Sequence, residues 1–528
     1  ILYVYSFISG ADWADEVARL DRMSKITKQD VVEWANKYLG PESYAIIYKR
    51  EGKDPDEQKI AAPKITPIVT NRDSQSEFLS EIQTSQVQPI EPVFVDYKKD
   101  MSQFEAQPGI DVLYKKNETN DIFTLIYVFN TGTENDPALN LAFNYLSYLG
   151  TDKMTAEEIA SEMYDIACSF YMNAGANQSS IQITGLSENM GKAMEIVEGL
   201  IAGAKPDEAI LENLKGDMLK SRADAKLNQS RCFGALQRYL FYGGDFIRRT
   251  TLTDPALQAL TSEQLLAKIG DLTGKQHEVL YYGPQKETEI KSALAEHHKV
   301  AADLQPLEKK FSALLPTDAN KVVLAQYDAK QLYYLQFSNR GEKFDVAADP
   351  EITLYNEYFG GGMNTIVFQE MREARGLAYS AWATLATPSN ANGDYSYYAF
   401  IATQNDKMQK AVEAFDDIIN NMPESEKAFG IAKEALVSRL RTERTVKDGV
   451  LWSYLRARDL GLDAPRDKQI FEKVQSMTLD DVKAAQQKWV KGRKYVYGIL
   501  GDIQDLDLNY LKTLGPIQTV SQEEIFGY

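Results

Sequence analysis

Histidine and cysteine are the scarcest reactive residues here: three histidines and two cysteines in 528 residues. A hydrolytic zinc centre needs about three nitrogen or carboxylate ligands, usually with two histidines one helical turn apart. His277, His297 and His298 do not supply that pattern. The stretch "ALAEHH" comes close to an inverted H-x-x-E-H, since Glu296 and His297 fit it, but Ala293 stands where the first histidine belongs. It falls in a charged connector, and His277, at the start of an expected strand, reads as structural or exposed. Cys168 and Cys232 lie in helix-like apolar contexts with no histidine close in sequence, which speaks against a cysteine nucleophile and leaves their bonding and compartment open. No apolar run of about eighteen residues occurs, so no spanning helix is expected. Basic residues are in deficit, 58 against 76 acidic, for a net charge of −18. Nucleic acid is therefore not an expected partner, because phosphate neutralisation needs a basic face. The acidic surface reads first as a solubilising one, and it would suit a cationic peptide. The glycines of "FGGGMN" lack the lysine and Ser/Thr of a phosphate loop, so Gly360 to Gly362 read as a tight turn with Asn364 capping the next helix.

What is present is ordinary globular material, 44% hydrophobic and 25% charged, long enough for two or more domains. Its organisation shows in a repeat. Thr27, Asp30, Val31, Lys37, Tyr38 and Tyr44 of "ITKQDVVEWANKYLGPESYAIIY" match Thr478, Asp481, Val482, Lys488, Trp489 and Tyr495 of "MTLDDVKAAQQKWVKGRKYVYGI" at one constant offset. A weaker third copy, "LTSEQLLAKIGDLTGKQHEVLYYG", places Thr261 and Leu265 where Thr27 and Val31 stand. Each copy reads as a threonine cap, an amphipathic helix, a turn and an apolar strand. The second and third copies close segments of domain size, whereas the first closes only a short one. The opening "ILYVYSFISGADWADEVARL" also lacks the features of a natural start. The expected division is therefore a tail of a truncated preceding unit at 1–50, a Pro/Gln/Ser-rich linker at 51–92, and two further units at 93–285 and 286–528.

Both larger units repeat one order of elements. "IDVLYKK", "IFTLIYVFNTG", "SFYMNAGA" and "SSIQITGL" read as strands with helices between and after them. "KVVLAQY", "QLYYLQFSN", "GLAYSAWATLAT" and "DYSYYAFIAT" do the same in the second. The predicted fold class is α+β, in tandem units of antiparallel sheet covered by helices on one face.

Residues 371–380, "MREARGLAYS", pose a question for so acidic a chain: two arginines at a helix end with a tyrosine delivered beside them. Gly376 suits the left-handed position after a helix, and cations in the last turn favour the negative end of the helix dipole. That accounts for Arg375. Tyr379, seven positions after Arg372, can be carried by the following strand to the same mouth, giving a cationic fork and a phenol that donate to one carbonyl oxygen or oxyanion.

The stretch "FGGGMNTIVFQEMREARGLAYS" strongly resembles the pitrilysin/insulinase family of zinc metallopeptidases, the inverzincins, in their non-catalytic half. The resemblance implies a metallohydrolase-like fold of LuxS/peptidase type, with units repeated two per half and halves closing around a peptide-sized chamber. It implies that Arg372 binds and orients the peptide backbone and that Tyr379 stabilises the oxyanion, both counted as catalytic and substrate-binding residues. It further implies zinc in the full-length protein, held by a missing N-terminal half, and no metal in this chain: in "LAFNYLSYLGTDKMT" the metal-motif positions are Leu141, Asn144 and Tyr145. The expected partners are that missing half and a peptide or unfolded polypeptide substrate. The chain alone is expected to be inactive, its compartment either periplasm or cell envelope or cytoplasm. The alternative implied by the same fold is a non-catalytic scaffold or assembly subunit.

Overall fold

The apolar runs of the sequence become the inner strands of two sheets. The computed structural model describes residues 2–48, 76–86 and 88–528, in two bodies, Ile1–Val87 and Gln88–Tyr528. Most of the stretch read as a linker lies outside the described residues, apart from one helix at Glu77–Thr84.

In the first body, helix Lys28–Tyr38 starts from a reciprocal cap: Thr27 Oγ1 accepts the Asp30 N–H at 3.2 Å, and Asp30 Oδ2 accepts the Thr27 N–H at 2.8 Å. Thr261 with Gln264, and Thr478 with Asp481, repeat this device, so the capping signal read in all three copies is real. The strand expected after the first copy does not form. Tyr44, Ile46, Ile47 and Tyr48 remain exposed. In the later copies this strand is hydrogen-bonded to a neighbour on each side, whereas no strand occurs among the described residues of the first body.

The second body holds two six-stranded sheets. In chain order the first comprises β1 (Ser102–Gln107), β2 (Ile110–Lys116), β3 (Ile122–Phe129), β4 (Cys168–Ala174), β5 (Ser179–Leu186) and β6 (His277–Gly283), arranged β1-β2-β6-β3-β5-β4. The second comprises β7 (Lys321–Gln326), β8 (Gln331–Lys343), β9 (Ser380–Ala386), β10 (Asp394–Gln404), β11 (Val496–Gly501) and β12 (Ile517–Val520), arranged β12-β7-β11-β8-β10-β9. The two orders superimpose except at one edge, where β12 replaces β1. Pairing is antiparallel apart from β2 with β6, β7 with β11 and β7 with β12. A parallel pair needs a long crossover, and the helical blocks supply it in both units.

Each sheet packs one face against helices of its own unit, and the other face is covered as well. Helix Gln229–Thr250, from the first unit, lays Phe233, Leu236 and Leu240 on Val323, Leu335 and Leu500 of the second sheet. Helix Gly449–Asp459, from the second, lays Val450, Leu451 and Leu455 on Leu113, Ile126 and Leu280 of the first. Cover on one face was expected. The reciprocal second cover follows from strands such as β3, whose last residues are buried without alternation and would otherwise leave an apolar face bare. Arg458 grips Glu278 with both guanidinium nitrogens, one at 2.8 Å, and Lys309 Nζ lies 2.7 Å from Asp459 Oδ2. Cys168 and Cys232 are free and buried. Cys168 opens strand β4 rather than lying in a helix. Among the described residues no helix is long and apolar enough to cross a membrane.

Candidate functional site

The segment leading to Arg372 is built by close backbone approach. A Cβ on Gly360 would meet the Ala383 carbonyl oxygen at 2.8 Å, so only glycine lets this turn lie on β9. Thr365, not Asn364, precedes the short helix Ile366–Phe368, and its hydroxyl donates to the Gly362 carbonyl at 2.7 Å. Asn364 was the expected cap; the turn closes one residue later because the threonine reaches back to the glycine carbonyls.

Beyond Phe368 the helix widens into a π-helical turn over Gln369–Ala374, with the Arg375 N–H donating to the Glu370 carbonyl at 3.2 Å. Such turns re-aim side chains and recur at functional sites. Met371 is fully buried, which anchors the turn and sends its neighbour Arg372 outward. Gly376 then takes φ +57°, Thr403 Oγ1 donates to the Leu377 carbonyl at 2.6 Å, and β9 begins at Ser380. The chain thus reverses within a few residues.

The reversal brings Arg372 and Tyr379 together. The Arg372 guanidinium carbon lies 4.7 Å from the centre of the Tyr379 ring and 5.0 Å from that of Phe368. Arg372 Nε stands 3.6 Å from Glu373 Oε1, beyond hydrogen-bond length. Tyr379 is 76% exposed. Cation–π contact orients the guanidinium plane, while its N–H groups and the phenol remain able to donate to an incoming acceptor. Arg375 is committed elsewhere: its Nη2 is 2.8 Å from Asp417 Oδ2 and its Nε 3.4 Å from Glu370 Oε2. Its hydrogen bonds to the Asp417 carboxylate first, and to Glu370 after it, raise the Arg375 pKa, while Arg375, followed by Asn421, depresses that of Asp417.

The metal-motif positions of the first unit do not fit a metal. Leu141 lies in the core, Asn144 points to solvent, and the Tyr145 hydroxyl donates to Ser262 Oγ at 2.7 Å while accepting the Asp207 N–H at 2.7 Å. Asp207 caps helix Glu208–Lys226. Tyr358 does the same in the second unit, accepting the N–H of Ser425, the cap of helix Glu426–Thr442, at 3.1 Å and donating to the Pro423 carbonyl at 2.7 Å. A duplicated tyrosine clamp therefore occupies this place. Tyr145→Phe is expected to cost about 1–3 kcal/mol, read by urea unfolding, because it strands the buried hydroxyl of Ser262. Among the described residues no three His, Cys, Asp or Glu side chains gather to hold a metal.

Two features are not legible in the sequence. Phe368 faces Arg372 from the turn before it. His277 and His298, expected to be structural or loose in a connector, meet in the interior at 2.8 Å; their separation in sequence carried no signal of this.

Residues 272–436 match the family model described as Peptidase M16 inactive domain. Over 266 residues the chain is 23% identical to an uncharacterized zinc protease of Streptomyces coelicolor, covering 47% of this chain and 56% of that one. The chain thus spans little more than half the length of that relative. Among solved structures, the peptidase M16 inactive domain from Pseudomonas fluorescens superimposes with a TM-score of 0.60 at 18% identity, covering 76% of this chain and 98% of that one. The ferredoxin protease FusC, solved with Arabidopsis ferredoxin, gives 0.60 at 13% identity, covering 90% of this chain and 51% of that one. These structural likenesses establish the α+β fold of paired units.

Proposed function

We propose, taking the chain as a relative of the M16 zinc proteases that carries their inactive domain, that it forms the substrate-binding half of a zinc endopeptidase. In this reading it hydrolyses nothing alone and completes a closed chamber only with an N-terminal half, in cis or in trans. The observation that carries the reading is the Arg372–Tyr379 stack: two donors brought to one exposed mouth, in a chain whose own metal-motif positions are filled by core and a tyrosine clamp. Zinc is then held by residues outside this chain.

Arg372 presents a planar fork to the peptide carbonyl and holds the backbone. The Tyr379 phenol donates to the same oxygen as negative charge grows on it. Donors fixed in a closed, poorly hydrated site count for more than in water and need no reorganisation during the reaction. The substrate is an extended peptide or an unfolded polypeptide, since this recognition reads backbone. FusC was solved with a protein, ferredoxin, which supports a polypeptide substrate.

Combining the chain with a zinc-bearing half and zinc should generate cleavage of an unstructured fluorogenic peptide that neither half shows alone. No cleavage with any such half would favour a scaffold with the same fold. Phe368 enters the same test. Phe368→Leu removes one of the two rings around Arg372 and is expected to lower kcat/KM by about two- to fivefold, the worth of one exposed cation–π contact, with Phe368→Tyr restoring it.

A further inference from the structure

His277 opens β6 and is 4% exposed; His298 follows helix Glu287–His297 and is 5% exposed. Their Nε2 atoms lie 2.8 Å apart. On the far side of each ring is an oxygen: the Lys275 carbonyl 2.8 Å from His277 Nδ1, and Glu198 Oε1 2.6 Å from His298 Nδ1. The Tyr127 ring stacks on His298 at 4.2 Å, and Phe129 closes against His277 at 4.7 Å.

This chain of contacts fixes its protons. A carbonyl only accepts, so His277 Nδ1 carries a hydrogen and its Nε2, in the neutral ring, offers a lone pair. His298 Nε2 must then donate. The remaining contact, His298 Nδ1 to Glu198, is satisfied by one proton between them and by no other number. We propose that Glu198, His298 and His277 form a proton-held latch that fastens the connector between the two units to the first unit.

The connector, residues 298–320, starts at the latch and touches both units. The Gln305 N–H donates to the Gly274 carbonyl at 2.9 Å, and the Gln276 N–H to the Gln305 carbonyl at 2.8 Å. Leu304 is buried in the first core. Further on, Lys309 pairs with Asp459, and the Leu315 N–H donates to the Phe241 carbonyl at 2.8 Å. Release at His298 therefore loosens the start of the connector, residues 299–307, while the contacts at Lys309 and Leu315 hold its far end.

A second proton breaks the latch. On His277 it would set two N–H donors facing each other at 2.8 Å in a buried site. Burial first, and the neighbouring His298 second, push the His277 pKa from its ordinary 6.5 down to about 4. The titratable and charged groups around the rings are Glu198 from helix Met190–Gly203, Tyr127 from β3, Lys275 before β6 and Lys299 after His298. The Lys275 ammonium turns to Asp271 and that of Lys299 to the Ala295 carbonyl. Glu278, next on β6, pairs with Arg458. Because native His277 binds fewer protons than the unfolded ring between pH 6.5 and 4, the contribution of His277 to the latch is whole above about 6.5 and is lost as pH falls toward 4.

Global melting would blur this, since burial pushes Asp416 in the second unit up to about 6 and a carboxyl raised in the native state stabilises in the opposite direction. The test is therefore local, on the whole chain. Hydrogen exchange of residues 299–307, corrected for the intrinsic rate, should show protection falling about tenfold or more between pH 7 and pH 4.5. Nitrogen-15 NMR at pH 7 should place the His277 proton on Nδ1. Glu198→Gln, whose amide N–H can donate to a neutral His298, should keep protection at pH 7, while His298→Ala should lose it. Protection that follows the intrinsic rate alone across this range, a His277 proton on Nε2, or equal loss in both variants would overturn the latch.

Discussion

On the proposed function, replacing Tyr379 with phenylalanine in the assembled halves should lower peptide cleavage by about 10²- to 10³-fold, the usual cost of deleting one donor aimed at a developing oxyanion. The fold should not change. Tyr379 is 76% exposed, and its ring, retained in phenylalanine, still stacks on Arg372. The loss should fall on kcat, because the donor is used most strongly after charge has built up on the carbonyl oxygen. Arg372→Lys tests the other member. A lysine keeps the charge but loses the planar fork that bridges Phe368, Tyr379 and substrate, so KM should rise together with a fall in kcat. The two residues touch, and their effects should not add. Cleavage by Tyr379→Phe within twofold of the parent would remove it from the catalytic machinery.

Gly498→Val should weaken the contact between the two units of the larger body. Gly498 lies in β11 directly beneath helix Gln229–Thr250, and a Cβ there would come within 2.3 Å of Leu240 Cδ1. That helix is the cover of the second sheet's outer face, so the clash pries apart the contact between the two units. Overpacking of this kind typically costs about 1–3 kcal/mol, and valine adds more than one methyl group. Urea unfolding measures the loss. Leu240→Ala should partly rescue Gly498→Ala, giving a coupling energy of opposite sign to the single costs; strictly additive losses would show that Leu240 is not what Gly498 accommodates.

Neither effect was equally visible in the sequence. The Arg372–Tyr379 spacing stood out only through its resemblance to a known motif, because a helix dipole explains arginines at a helix end just as well. What makes the pair a candidate site, the widened turn over Gln369–Ala374 and Phe368 on the far side of the guanidinium, depends on backbone detail that residue spacing does not encode. Gly498 reads as an ordinary small residue in a strand, since its partner lies in the other unit. The tyrosine clamps were hidden for the same reason: Tyr145 and Asp207 are far apart in sequence.

The legible parts are local. Threonine caps are read from residues three apart, and they are correct in all three copies. Inner strands such as β3 and β8 are long apolar runs and were placed well. The edge strands β1 and β12 escaped, being short and half polar. The strand expected at 44–48 shows the converse limit, for an apolar run becomes a strand only where neighbours supply hydrogen bonds.

The most direct test of the proposed function is the position of Tyr379 in a crystal structure of the chain assembled with its zinc-bearing half and an uncleavable peptide analogue. The account predicts the phenol oxygen of Tyr379 and a guanidinium nitrogen of Arg372 at hydrogen-bond distance, about 3 Å, from the oxygen that replaces the scissile carbonyl. A peptide bound with that oxygen turned away from both side chains, and beyond the reach of one bridging water, would contradict it.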